Sequence, residues 1–219
     1  MLKWFSQDTP FMQGLHTFAN LAVLNLLWLL CCLPVFTIGA STTALYRCLF
    51  DQSQGEYGGY RSFFRAFKRS FKTATLSWLI MAGASLILYA DYRYTLQQSW
   101  TFRPVLLAAY GVVAFVILLA SPFLFALISQ FSAKLGQTLK NALLCGVSWL
   151  PRTVLMLALW AIPVLWVLIS PYWFLYFAWG WIACGFSLIA FLCVRVMKKP
   201  MQALKARMPL AEAASGDKE

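Results

Sequence analysis

The chain has 219 residues, of which 61% are hydrophobic and only 11% are charged. Soluble domains average about 45–50% apolar and about 25% charged residues, so the composition excludes an ordinary soluble domain. It predicts an integral membrane protein. The net charge of +11 would also suit a nucleic-acid-binding protein, but its distribution along the chain indicates a different origin.

Five apolar segments approach or exceed the roughly 20 residues that a helix needs to cross the hydrocarbon core of a bilayer. In chain order they are residues 16–38, 73–90, 104–129, 152–169 and 172–194. Ser170 and Pro171 alone join the last two, which indicates a tight hairpin. The sequence therefore predicts an all-α polytopic membrane protein with five transmembrane helices. Residues 1–200 form one transmembrane domain in this prediction, and residues 201–219 form a cytoplasmic polar tail.

The basic residues fall unevenly on the two sides of these spans. One side carries Lys3, Arg93 and Arg103, whereas the other carries the remaining fifteen Lys and Arg residues. Cytoplasmic loops are enriched in Lys and Arg, and five spans put the two termini on opposite sides. We therefore expect the amino terminus outside and the carboxyl terminus inside. A basic cytoplasmic face of this kind attracts anionic lipids, so the net charge implies no nucleic acid.

The end of the first span changes from apolar residues to small and polar ones. Pro34 removes a backbone donor and kinks or ends a helix, so residues 37–43 are predicted to form a non-helical connector. One of the hydroxyl residues at 41–43 suits the N-cap of a second short helix over residues 44–50. Two roles stay open, namely binding of an anion or ligand hydroxyl and simple capping of a turn. The candidate residues for this break or ligand site are Asn25, Pro34, Thr37, Gly39, Ser41, Thr42 and Thr43.

Residues 60–72 show a helical amphipathic pattern. Aromatic rings recur at spacings of three and four on one face, and basic residues recur on the opposite face. The rings are Tyr60, Phe63, Phe64, Phe67 and Phe71, and the basic residues are Arg61, Arg65, Lys68, Arg69 and Lys72. We expect a cytoplasmic amphipathic helix that lies along the membrane surface with its rings inserted. It serves either as an elbow that orients the second span or as a surface on which a cytoplasmic partner reads Arg61, Arg65, Lys68 and Arg69.

Residues that carry catalytic chemistry are sparse. None of the seven acidic residues lies well inside a span, and His16, the one histidine, stands at the start of the first span. The six cysteines lack the paired spacing of a zinc site or a disulfide framework, and the common catalytic motifs are missing. We therefore expect a protein that is not an enzyme, with no catalytic residue, metal or cofactor. The midplane ionisable groups of an ion-driven transporter are also missing, although passage of a neutral solute stays open.

Several motifs together resemble the YesL family. They are NLLW at residues 25–28, LPVFTIGASTTALY at 33–46, FFRAFKRSFKTAT at 63–75, LKNALL at 139–144 and LPRTV at 150–154. The resemblance covers most of residues 10–200. It implies a small protein of the bacterial cytoplasmic membrane with no established activity, often encoded beside carbohydrate-uptake transporters and polysaccharide-degrading enzymes.

This resemblance places the expected function in carbohydrate uptake. We expect a non-catalytic accessory or regulatory component of the cell membrane, with a sugar transporter or a membrane sensor as its partner. The alternative is a small transporter or permease-like subunit for a neutral solute such as a sugar.

Overall fold

The structure is a computed structural model that describes residues 10–97, 101–131, 135–170, 172, 176 and 178–216. For residues 10–13 and 205–216 it describes the backbone alone. Lys3, Lys134 and Lys218 of the charge pattern, and Pro171 of the predicted tight hairpin, lie outside the described residues.

Within the described ranges every regular element is helical, so the predicted all-α class is confirmed. The elements in chain order are α1 (Pro10–Cys32), a 3₁₀ turn (Val35–Thr37), α2 (Ile38–Gln52), α3 (Gly59–Gln97), α4 (Arg103–Gln130), α5 (Leu135–Ser148), α6 (Leu150–Ile169) and α7 (Phe186–Gly216). Helical residues Ala178–Gly180 and a π-helical turn, Trp181–Gly185, lead directly into α7.

Five stretches of helix in the described part of the chain are long and apolar enough to cross a membrane. They are Gly14–Cys32, Gly59–Gln97, Arg103–Gln130, Leu150–Ile169 and Ala178–Leu204. Each contains or overlaps one of the five predicted segments. Large apolar side chains such as Leu86, Val112 and Leu168 are mostly exposed on their surfaces, as is usual for helices that face lipid. The prediction of a polytopic helical membrane protein is therefore confirmed.

The helix α2 runs back along α1, so the two form an antiparallel hairpin. Near the tip, the Ser41 hydroxyl donates a hydrogen bond to the backbone oxygen of Trp28 over 3.1 Å. Near the open end, the side-chain nitrogen of Asn20 donates to Gln52 Oε1 over 2.8 Å. The loop after α2 thus returns to the level of the first turns of α1.

This hairpin bears on the predicted orientation. The prediction placed His16 outside the cell and the loop between α2 and α3 inside it. In the structure the rings of His16 and Tyr57 meet edge to face, with their centroids 4.6 Å apart. The hydrocarbon core of a bilayer is about 30 Å thick, so two residues in contact do not fit a placement on opposite sides of it. The predicted orientation is therefore not confirmed.

The core of the protein lies around α2. Nearly all residues from Gly39 to Phe50 are buried, and α1, α3, α4 and α7 surround them. A Cβ atom added at Gly39 would collide with the backbone oxygen of Ala74 and come within 2.7 Å of the Trp78 Cβ atom. Glycine at position 39 therefore lets α2 and α3 approach to backbone contact.

The amphipathic segment is helical, but it is not a separate helix on the membrane surface. It forms the first third of α3, a single helix of 39 residues that is roughly 58 Å long at 1.5 Å per residue. The Phe63 side chain is fully buried in the core, and the rings of Phe67 and Phe71 pack against that core. These three rings therefore contact protein, rather than the acyl boundary that the sequence predicted.

Candidate functional site

Side chains satisfy several backbone oxygens of the turn between α1 and α2. α1 ends at Cys32, and a helix end leaves carbonyl groups without intrahelical partners, which is costly in an apolar environment. The Thr37 hydroxyl lies 2.6 Å from the backbone oxygens of both Cys31 and Pro34 and donates to this pair. The indole N–H of Trp78 in α3 donates to the Val35 oxygen over 2.9 Å. These bonds stabilise the reversal of the chain.

The remaining hydroxyls of this stretch also have partners inside the protein. The Thr43 hydroxyl donates to the Gly39 oxygen over 2.8 Å, and the Thr42 hydroxyl accepts the indole N–H of Trp28 over 3.3 Å. These bonds support the turn-forming role of the stretch over the ligand-binding role.

The predicted start of the second helix needs a correction. α2 already begins at Ile38, so residues 38–43 are helical, and none of Ser41, Thr42 and Thr43 is its N-cap. These short hydroxyl side chains are tolerated inside the helix because they bond to nearby carbonyls or to an indole.

Asn25 ties α1 to the π-helical turn before α7. Its side chain is fully buried. The amide nitrogen donates to the backbone oxygens of Trp181 and Ile182 over 2.9 and 2.7 Å, and the amide oxygen accepts from the Ser187 N–H over 2.9 Å. A π turn displaces the regular backbone ladder, and one amide side chain here bonds to three of the backbone groups involved.

A polar cavity of about 670 Å³ lies between α2, the first turns of α3 and the end of α4. α2 contributes Arg47 and Asp51, and α3 contributes Arg65 and Arg69 together with small polar residues. The end of α4 contributes residues 128–131. The α3 lining residues are Ser62, Arg65, Ala66, Arg69, Ser70 and Thr73, and their spacings of three and four place them on one helix face.

Arg47 joins the walls of this cavity. Its Nε donates to Asp51 Oδ2 over 3.3 Å, and its Nη1 donates to the backbone oxygen of Ser129 over 3.2 Å. The Asp51 carboxylate is only 21% exposed. The contact with Ser129 connects α2 to the last turn of α4, where that span ends.

The structure keeps the predicted basic surface accessible. Arg61, Arg65, Lys68, Arg69 and Lys72 are all exposed along the first turns of α3. Arg61 folds back on its own helix, because its Nε donates to the Tyr60 hydroxyl over 3.2 Å. Arg65 has no hydrogen-bond or ion-pair partner within the described ranges.

Sequence reasoning found this basic surface but missed the cavity beside it. Arg47 and Asp51 are four residues apart, and this spacing is the usual signal of a helical ion pair. The α3 wall could have been found from its stripe of small polar residues. Nothing in the pattern indicated that the end of α4, some 80 residues further along, would close the site.

One further observation bears on chemistry. Among the described residues, no three His, Cys, Asp or Glu side chains come together in a group that fits a metal ion.

The fold and these sites define a class: a small all-helical membrane protein built around a buried helix, α2. A protein-family model described as "Protein of unknown function, DUF624" matches residues 21–92, which cover most of the hairpin and most of α3. The chain is also 26% identical over 211 residues to "Uncharacterized protein YesL" of Bacillus subtilis (strain 168), covering 92% of this chain and 96% of the relative. No solved structure matches the chain. The two matches support a YesL-family assignment, so the predicted resemblance is confirmed.

Proposed function

We propose that this protein is a non-catalytic accessory component of the bacterial cytoplasmic membrane, linked to carbohydrate uptake. It docks a partner membrane protein, a sugar transporter or sensor, through an acidic cytoplasmic segment of that partner. The observation that carries the proposal is the exposed basic surface of α3, formed by Arg61, Arg65, Lys68, Arg69 and Lys72.

The opposite face of the same turns explains why this surface suits docking. Phe63 is fully buried and stacks on Phe67 with a ring separation of 6.4 Å, so the core fixes the rotation of the helix. A preorganised charged surface loses less conformational entropy on binding than a mobile loop does. Complementary charge also raises the association rate and selects the partner.

We further propose that both ends of the chain lie in the cytoplasm. If the α1–α2 hairpin enters and leaves on one side, α3, α4, α6 and α7 make four crossings. Only Arg93 and Arg103 then lie outside, against sixteen Lys and Arg residues inside. This distribution is more asymmetric than the split of three against fifteen that the five-span topology gives, and it follows the positive-inside rule more closely.

Charge reversal with a matched control tests the docking surface. Arg61, Lys68 and Lys72 are replaced by Glu in one variant. In the control Lys140, Arg195 and Lys199, which are also exposed, are replaced by Glu. Both variants remove the same charge from the cytoplasmic side and therefore disturb membrane insertion equally.

The readout is quantitative co-purification from native membranes. We expect a transporter or sensor subunit with an acidic cytoplasmic segment to co-purify with the wild type and with the control. The amount that co-purifies should fall at least ten-fold with the α3 variant. Equal retention by both variants, at equal amounts of inserted protein, would rule out the docking surface.

A further inference from the structure

We infer that the cavity between α2, α3 and the end of α4 binds a phosphate group carried by a small hydroxyl-bearing molecule. Its volume of about 670 Å³ lies within the roughly 300–1,000 Å³ of small-molecule sites. The inference goes beyond the proposed docking function, because it concerns a small-molecule site. The two sites share Arg65 and Arg69, which are exposed and also line the cavity.

The electrostatics of the lining favour an anion. Three guanidinium groups, those of Arg47, Arg65 and Arg69, meet two carboxylates, so the lining carries a net charge of +1. One carboxylate, Asp51, is already paired with Arg47. The planar guanidinium fork matches two oxygens of a phosphate at once, and Arg65 has no partner of its own within the described ranges.

The remaining lining groups fit the uncharged part of such a ligand. Ser62, Ser70 and Thr73 add hydroxyls along the α3 wall, and Glu56 adds a carboxylate. Hydroxyls bond to phosphate oxygens, whereas carboxylates accept hydrogen bonds from ligand hydroxyls. A glycerol phosphate group combines both features.

The position of the cavity allows two sources of this group. Residues 128–131 form one wall, and α4 ends there at Gln130, so the cavity lies where a span leaves the apolar layer. An anionic lipid can place its headgroup at that level, and a soluble phosphorylated metabolite can enter from the aqueous side. The two sources present the same chemistry to the arginines.

The test compares Arg65→Gln with Arg61→Gln in the purified full-length protein. Both residues are exposed on the same helix, but only Arg65 lines the cavity. In detergent, Tm is measured against inorganic phosphate and glycerol 3-phosphate, with chloride at equal ionic strength as the reference. In nanodiscs, Tm is compared between phosphatidylglycerol and phosphatidylcholine.

We expect the soluble phosphates, the phosphatidylglycerol, or both to raise the Tm of the wild type and of Arg61→Gln. Arg65→Gln should need about ten-fold more ligand for the same rise, which is the usual effect of losing one charge-assisted hydrogen bond. A response to phosphatidylglycerol alone identifies a lipid headgroup, and a response to soluble phosphates alone identifies a metabolite. Equal responses of the two variants, or no response of the wild type, would overturn the inference. Docking does not enter this measurement, so the two proposals fail separately.

Discussion

Asn25 in α1 accepts a hydrogen bond from the backbone N–H of Ser187 in α7, and its amide donates to two carbonyls of the preceding π turn. These three bonds join parts of the chain that are 156 to 162 residues apart. Because they lie in a fully buried position, they fix how the first hairpin docks on the last span.

Replacing Asn25 by Leu should therefore destabilise the protein. Hydrogen bonds between transmembrane helices contribute about 0.6 kcal/mol each on average. The loss of three such bonds should therefore lower the free energy of unfolding by about 2 kcal/mol. The control is Asn20→Leu, which removes one bond to Gln52 and should cost less than about 1 kcal/mol. Equilibrium unfolding in mixed micelles measures the free energy of unfolding of both variants. Equal losses of stability in the two variants would contradict the role assigned to Asn25.

The spans were predictable because each depends on a local run of apolar residues, and the break at Pro34 was predictable because proline ends helices by itself. The partner of Asn25 was not predictable, since a buried amide finds its acceptors only after distant helices have packed. The π turn at Trp181–Gly185 has no local signal of comparable strength. The same limit applies to the orientation: charge counting treated the first apolar run as a complete crossing, whereas α2 runs back along α1.

The close approach of α2 and α3 depends on Gly39. Replacing Gly39 by Leu would drive a side chain into the backbone of Ala74. We expect the free energy of unfolding to fall by about 3 kcal/mol, or the protein not to fold at all. Gly83→Leu is the matched control, because no atom lies within 4 Å of a Cβ atom added there. The yield of monodisperse protein and its Tm are the measurements. Similar behaviour of the two variants would show that the two helices do not touch at Gly39.

The contact between His16 and Tyr57 makes a topological prediction. In a cysteine-free variant, single cysteines are placed at Gly14, Glu56, Gln97 and Gln202, all of them exposed, and intact cells are treated with an impermeant thiol reagent. We expect Gln97→Cys to be labelled, because it ends α3 on the outer side. Gln202→Cys should be protected, because it follows the last crossing.

Gly14→Cys and Glu56→Cys decide between the two topologies. With the first hairpin entering and leaving on the cytoplasmic side, both should be protected until the cells are permeabilised. The topology with the amino terminus outside predicts instead that Gly14→Cys is labelled while Glu56→Cys is protected. That split would require the rings of His16 and Tyr57, 4.6 Å apart in the structure, to lie on opposite sides of the bilayer. It would therefore remove the α1–α2 hairpin along with the proposed orientation.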